Sequence, residues 1–343
     1  MGLGRFMVRR LALSLLVLAG LSILIFLIAR VVPGDPARLA LGPRAPEWAV
    51  QSLREEMNLD KPLHVQYYLW LRGLLRGDLG KSLLTRRPVM DDIKEFLPAT
   101  CEIVLFSALV MAVGGILLGV LSASYPNSWF DNVVRVVAYL GIVTPSFVWA
   151  VIFVLIFGYI WPILPVIGRL EMTVEAPPVF TGFLLLDSLI FGKYEAFWDG
   201  LRHLILPSVA LALGGMAQAA RITRSSLMEN MGKDYALAQV AYGIPWRVTL
   251  GKYLLKPSLI PTVSVMALDI AALFANAFLV ELVFNYPGIS GYGIRAMLNK
   301  DVNAISGVIM VMGVIFTGVN IIVDLVVAYL DPRVRLVGGS QSG

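Results

Sequence analysis

Cysteine is almost absent: Cys101 stands alone in a chain of 343 residues. No internal disulfide can form, and neither a disulfide framework nor a cysteine-rich metal site can be built. Histidine is nearly as scarce. His64 and His203 are too few for an imidazole metal cage, and neither has an obvious nucleophile beside it, so no catalytic constellation emerges. Charge is thin as well. Asp, Glu, Lys and Arg make up 15% of the chain, against about 25% in soluble proteins.

What fills the chain instead is apolar. Hydrophobic residues reach 58% and the mean hydropathy is +0.78, which points to an integral membrane protein in contact with lipid. The formal charge of +5 fits basic loops on the cytoplasmic side of a membrane and does not require nucleic acid. Six spans are expected, at about 11–31, 99–123, 133–160, 203–223, 258–283 and 304–330. Each meets or exceeds the ~20 apolar residues that cross a hydrocarbon layer as a helix. The first follows Arg5, Arg9 and Arg10 as a signal peptide would, but its apolar run is longer than the h-region of one and no A-x-A site follows, so it reads as a retained anchor.

Basic residues orient the chain. The tail 1–10 carries Arg5, Arg9 and Arg10. The loop 224–257 and the residues just before it carry Arg221, Arg224, Lys233, Arg247, Lys252 and Lys256, and the tail 331–343 carries Arg333 and Arg335. Six spans put all three on one side, taken as the cytoplasm, with both termini there. The segment 32–98 is long and of mixed charge, and long loops translocate largely regardless of charge. It reads as an external insert with helices over 46–58 and 62–77, each with a proline near its start. Leu63, Tyr67, Trp70, Leu71 and Leu74 share one face of the second, which either packs on the insert or docks something outside. Two further external loops fall at 161–202 and 284–303, and the short apolar stretch 179–192 reads as interfacial or re-entrant.

Three features invite a functional reading. "GDLGKS" (77–82) ends like a phosphate-binding loop, but the leading glycine should stand at position 75, which is Leu75, and no strand precedes it. Any ATP that drives this protein is therefore bound by another chain. Asp269 and Asp324 lie in spans five and six, where a carboxylate costs about 2.5–3.5 kcal/mol on insertion scales. They either couple transport to an ion gradient, as in a secondary transporter, or serve as helix–helix contacts, the reading preferred here. Gly114, Gly115 and Gly119 in span two, with Gly214 and Gly215 in span four, allow close helix approach.

The fourth feature interrupts the apolar pattern: "DYALAQVAYGIPWRVTLGKYLLKPSLIP" (234–261). Its first half has good helix formers. Gly243 suits a helix C′ position of positive φ and Pro245 the first turn of a new helix, with Pro257 and Pro261 punctuating the entry to span five. Two short helices joined by a tight turn result. They suit an interfacial amphipathic element or a partner-docking element equally well.

Many stretches, in order, resemble the membrane-spanning permease subunit of ABC importers, most of all its dipeptide/oligopeptide B-type branch. They are "FLIARVVPGDPA" (26–37), "LLRGDLGKSL" (74–83), "LPATCEIVLFS" (97–107), "LGIVTPSFVWA" (140–150), "LRHLILPSVALAL" (201–213), "ARITRSSLMENMGKDYALAQVAYG" (220–243), "LVELVFNYPGI" (279–289) and "VDLVVAYLDPRVRL" (323–336). The resemblance implies an all-α membrane protein of six spans in the type I importer permease fold. It implies transport of peptides or a related solute such as an oligosaccharide, in the inner membrane of a prokaryote. The implied partners are a second, similar permease subunit (a heterodimer), two cytoplasmic ATPases that hold ATP and magnesium, and an extracytoplasmic solute-binding protein. The permease itself is then no enzyme and binds no cofactor. In such permeases a cytoplasmic loop named for Glu-Ala-Ala followed after three residues by Gly docks on the ATPase. Here Leu237, Ala238 and Gln239 occupy the triplet, with Leu237 in place of the acidic residue, and Gly243 matches. The docking residues implied are Tyr235, Leu237, Ala238, Gln239, Tyr242, Gly243, Ile244, Pro245 and Trp246.

Overall fold

A chain this apolar satisfies its backbone within each segment, and in the computed structural model, which describes residues 3–31, 36–42, 44–56 and 58–330, helix is the dominant structure, with the longest irregular stretch at 161–183. The expected tail 331–343, with Arg333 and Arg335, lies outside them. Helix α1 is Leu3–Val31, α2 Pro36–Leu41, α3 Glu47–Glu56 and α4 Leu63–Leu75. Then come α5 (Val89–Ser124), α6 (Trp129–Val143), α7 (Ser146–Phe153, continued to Ile160 as π-helix) and α8 (Leu184–Ile190). The chain continues with α9 (Tyr194–Met231), α10 (Asp234–Ala241), α11 (Trp246–Val248), α12 (Leu255–Val283), α13 (Ile289–Leu298) and α14 (Val302–Leu330). A π-helical stretch, Thr249–Leu254, fuses α11 to α12. Among the described residues five helices are long and apolar enough to cross a membrane, and the bent pair α6–α7 makes a sixth candidate.

The joints differ from those the hydropathy pattern suggests. The stretch 133–160 is not one straight span, because α6 and α7 meet at 112°. The break falls at Thr144, which is extended (φ −88°, ψ 124°) as a residue before proline tends to be, here Pro145. Helix α5 begins ten residues before the expected start at 99. Asp91 and Asp92 complement the positive end of the helix, and at 36 residues it is about 54 Å long, more than the hydrocarbon layer needs. The expected loop 224–257 also shrinks. Helix α9 runs through to Met231, and the second of the two short helices is no separate element, since Trp246–Val283 is one continuous helix. Pro257 and Pro261 lie inside it. A proline ring collides with the carbonyl four residues back; for Pro257 that is Tyr253, which sits in the π-turn where Leu255 N–H reaches back five residues to Leu250 O.

Small residues set the packing. A Cβ on Gly115 would come within 2.6 Å of Ala219 Cβ and one on Gly119 within 2.6 Å of Thr223 Cβ, so α5 and α9 touch backbone to backbone. Gly141 brings α6 against Leu213 and Ala217 of α9 in the same way. Among the described residues the largest buried cluster joins α5, α7, α9 and α12 through Ile103, Ala150, Leu204, Leu211, Leu273 and Phe274. Helix α1 joins the bundle through α14, which itself packs on α12, Leu21 lying over Gly313 and Arg10 bonding Asp324 at 2.9 Å.

The insert between α1 and α5 is tied to the bundle end where α5 starts. Tyr67 hydroxyl meets Ser22 Oγ of α1 at 2.8 Å, and Tyr67 and Trp70 pack on Phe26. The apolar face of α4 is thus used, at Tyr67 and Trp70, in packing on α1. Asp301, fully buried, accepts from Ser82 Oγ at 2.6 Å and from the N–H groups of Leu83 and Leu84. The phosphate-loop lookalike between them follows helix α4 rather than a strand. Gly80 N–H bonds Asp78 Oδ1 at 2.9 Å, and Lys81 pairs with Pro88 in an isolated bridge.

Candidate functional site

Asp234 opens α10 with a negative charge in its first turn, and the helix closes on a glycine turn. Gly243 has φ +77°; its N–H reaches Val240 O at 2.9 Å and Ile244 N–H reaches Gln239 O at 3.1 Å. This paired pattern satisfies carbonyls that a helix end leaves free. Pro245, at φ −56°, then starts the next helix at Trp246.

The helix between these ends is seated by one residue. Ala236 is buried against Ala123 of α5, Leu227 of α9 and Leu254 ahead of α12. The remaining apolar side chains look outward: Leu237 is 60% exposed, Val240 54%, Tyr242 86% and Trp246 44%. Of the nine residues implied by the resemblance, Tyr235, Leu237, Ala238, Tyr242, Gly243, Pro245 and Trp246 are exposed, while Gln239 and Ile244 are half-buried. Gln239 Oε1 has no hydrogen-bond partner among the described residues. The chemistry on offer is that of a contact surface: aromatic and aliphatic groups on a short rigid helix, with no nucleophile and base side by side.

Sequence reasoning passed over an ion pair close to this end. Asp131, fully buried at the start of α6, receives Arg224 of α9 in two parallel bonds, Nε–Oδ1 at 2.6 Å and Nη2–Oδ2 at 2.7 Å. Ser122 Oγ of α5 and Asn127 N–H also bond it, and Arg135 Nε of its own helix stands 3.9 Å from Oδ2. The one local signal was the start pattern Ser128-x-x-Asp131, where Ser128 Oγ caps Asp131 N–H; its partner lies 93 residues away. At the other end Glu102 of α5 accepts from Arg169 at 2.6 Å and from Leu185 N–H at 2.9 Å, fixing the connection between α7 and α8. Asp187 of α8 gathers the N–H groups of Phe180, Thr181 and Gly182. Burial tends to raise its carboxyl, but the Thr181 hydroxyl and those three N–H groups outweigh it and hold the group below its ordinary value.

The two carboxylates within the spans part company. Asp324 is paired with Arg10. Asp269 lies beside Gly215 of α9, and its Oδ2 is buried without a partner among the described residues. No hydrogen bond or ion pair among the described residues joins the two. His203 is buried and bonds Asp199 of its own helix through Nδ1, to the carbonyl at 3.0 Å.

Comparison with known proteins bears on this arrangement as a whole. Residues 115–336 match the family described as binding-protein-dependent transport system inner membrane component, and residues 3–104 match the N-terminal part of the same system's membrane component. The chain is 39% identical over 326 residues to the probable D,D-dipeptide transport system permease protein of Escherichia coli K12, covering 94% of this chain and 95% of that one. It is 37% identical to a dipeptide transport system permease protein of Alkalihalophilus pseudofirmus, covering 95% and 98%. A di/tripeptide transport system permease protein of Pseudomonas aeruginosa is 35% identical, covering 96% and 98%.

Proposed function

The chain belongs to the family of binding-protein-dependent transport system inner membrane components, and from that premise we propose that it is the permease subunit of an ATP-driven importer of short peptides. It crosses the inner membrane six times in the type I permease layout, the bent pair α6–α7 making the third crossing, with both termini in the cytoplasm. It forms half of the passage, and a second, homologous permease chain forms the other half. Two ATPase subunits hold ATP and magnesium, so this chain carries no ATP site and no cofactor of its own. A solute-binding protein delivers the peptide from outside.

The observation that carries the reading is α10. It is a short helix at one end of the bundle, closed by the Gly243 turn, with Ala236 its one buried residue and Leu237, Val240, Tyr242 and Trp246 presented outward. Apolar groups gathered on a polar loop mark a protein contact. A cytoplasmic ATPase is the occupant that lets ATP move a chain with no phosphate loop. Closure of the paired ATPases pushes this helix, and the passage turns from outward- to inward-facing by rigid-body movement. Short peptides are supported as the solute by the relatives, named for D,D-dipeptides, dipeptides and di/tripeptides.

The test is reconstitution. The chain is co-expressed with the permease, ATPase and binding-protein genes beside it, purified as a complex and placed in proteoliposomes. Uptake of labelled Ala-Ala that requires both enclosed ATP and external binding protein is expected. Purification without a bound ATPase, or uptake that follows an ion gradient while ATP is absent, would sink the reading.

A further inference from the structure

Helix α10 is eight residues long, too short to hold its shape alone, and only Ala236 buries it. A displacement of such a helix reaches the rest of the bundle through whatever else grips it. Backbone continuity supplies two grips, onto α9 at one end and, through the Gly243–Pro245 turn, onto the helix that runs into α12 at the other. A third is a chain of polar side chains that runs from α10 through α9 into α12. Tyr235 hydroxyl donates to Asn230 Oδ1 at 2.8 Å, Asn230 Nδ2 donates to Ser258 Oγ at 2.9 Å, and Ser258 Oγ donates to Leu254 O at 2.7 Å. Asn230 Nδ2 also reaches Ser226 O of its own helix at 2.9 Å. The carbonyl of Ser226 can only accept, which fixes the NH2 end of the Asn230 amide, so Asn230 donates to Ser258 and accepts from Tyr235; Ser258 gives its own hydrogen to a carbonyl, Leu254 O at 2.7 Å or Ser226 O at 3.4 Å. An amide accepts on one atom and gives two hydrogens on the other; a carboxylate or an alkyl group cannot, and a hydroxyl has one hydrogen to give.

The three residues form a graded path inward. Tyr235 is 40% exposed on the contact surface, Asn230 8% and Ser258 fully buried. One turn further along α12, Thr223 and Thr262 hydroxyls meet at 3.0 Å between the same two helices, both fully buried. We propose that Asn230 is a positioning residue that locks α10, α9 and α12 into one unit, so that movement of α10 arrives at the span formed by α12 and movement of that span arrives back at α10. The inference rests on the importer reading, and it adds which side chains carry the movement and to which span.

The reverse direction gives the sharper measurement, because it needs no knowledge of the transported solute. In the reconstituted complex, ATP hydrolysis is measured with and without the binding protein encoded beside this chain. Wild type should be stimulated. Ser258→Ala, which removes one oxygen, and Asn230→Leu, which removes the amide, should each cut that stimulation by about three- to tenfold, the factor corresponding to one interhelical hydrogen bond in a membrane. Hydrolysis without binding protein, subunit stoichiometry and melting of the complex should stay as in wild type, which separates a lost link from a damaged fold. The double variant Asn230→Leu/Ser258→Ala should be no worse than Asn230→Leu alone, as expected of residues acting in one chain. Full stimulation in Ser258→Ala, or effects that simply add, would overturn the proposal. An unstimulated wild type would instead overturn the importer reading and this inference with it.

Discussion

At the scale of single residues, Gly243 is the clearest case of a side chain dictated by backbone. Its φ of +77° is one that L-residues rarely adopt, and a Cβ there would meet nothing within 4 Å. A substitution therefore costs strain without a clash, about 1–2 kcal/mol for an ordinary residue in the left-handed region. In the proposed importer, Gly243→Leu should insert and assemble yet lose uptake per ATP hydrolysed, while Gly243→Asn, which tolerates that region, should keep most of it. Equal coupling ratios for the two would show that the turn is not what matters. Asp131 gives a second prediction. Asp131→Ala leaves the Arg224 guanidinium without its partner; the cost is about 3–5 kcal/mol for a fully buried pair and less here, because the Arg224 side chain is 21% exposed. The complex should melt earlier, and the exchanged pair Asp131→Arg/Arg224→Asp should recover part of the loss. No recovery would mean that Asp131 serves its Ser122 and Asn127 contacts instead. These two residues also mark what a sequence reveals. Gly243 was legible because its conformation is local, set by the helix before it and the proline after it. Asp131 and Asn230 were not, because each acts through a partner on another helix and nothing in the spacing of residues names that partner.

At the scale of elements, apolar length announced the helices, and the proline rule told less about their ends. Pro98, Pro207 and Pro261 lie inside long helices, while Pro145 sits at a 112° break. Leu97, Leu206 and Ile260, the residues before the first three, stay helical and the helix continues, whereas Thr144 is extended and the chain turns. The glycines of α5 were legible as a packing surface, but which helix they face was not. That partner, α9, yields a test. Gly119→Leu forces a side chain into Thr223 and the Ala220 carbonyl, which a Cβ alone would approach to 2.6 and 2.7 Å. Overpacking of this kind costs about 1–3 kcal/mol, so the unfolding midpoint in detergent should drop clearly. Gly20→Ala, on α1 with nothing within 4 Å, is the control and should leave it unchanged. A drop of the same size in both would remove close α5–α9 contact as its cause.

At the scale of the whole molecule the open variable is which end faces the cytoplasm, and two physical arguments meet there. Basic residues cluster around α10, at Arg221, Arg224, Lys233, Arg247, Lys252 and Lys256, and such clusters are retained on the cytoplasmic side. The opposite end carries the insert held by Asp301 and the connection held by Glu102 and Asp187, three buried carboxylates that each fix a loop. Tyr242, 86% exposed beside the Gly243 turn, and Met172, fully exposed in the connection between α7 and α8, report the two ends without disturbing a buried contact. The lone native thiol makes the measurement clean: with Cys101 replaced by Ala, a cysteine at either site is the only one in the chain. In intact cells opened only at the outer membrane, a maleimide that cannot cross the inner membrane should label Met172→Cys and not Tyr242→Cys. In inside-out vesicles from cells that express this chain without the ATPases, so that Tyr242 is uncovered, the pattern should reverse. Labelling of Tyr242→Cys from outside would put α10 on the side where no ATPase waits, and ATP could then reach the passage through no surface that this chain presents there.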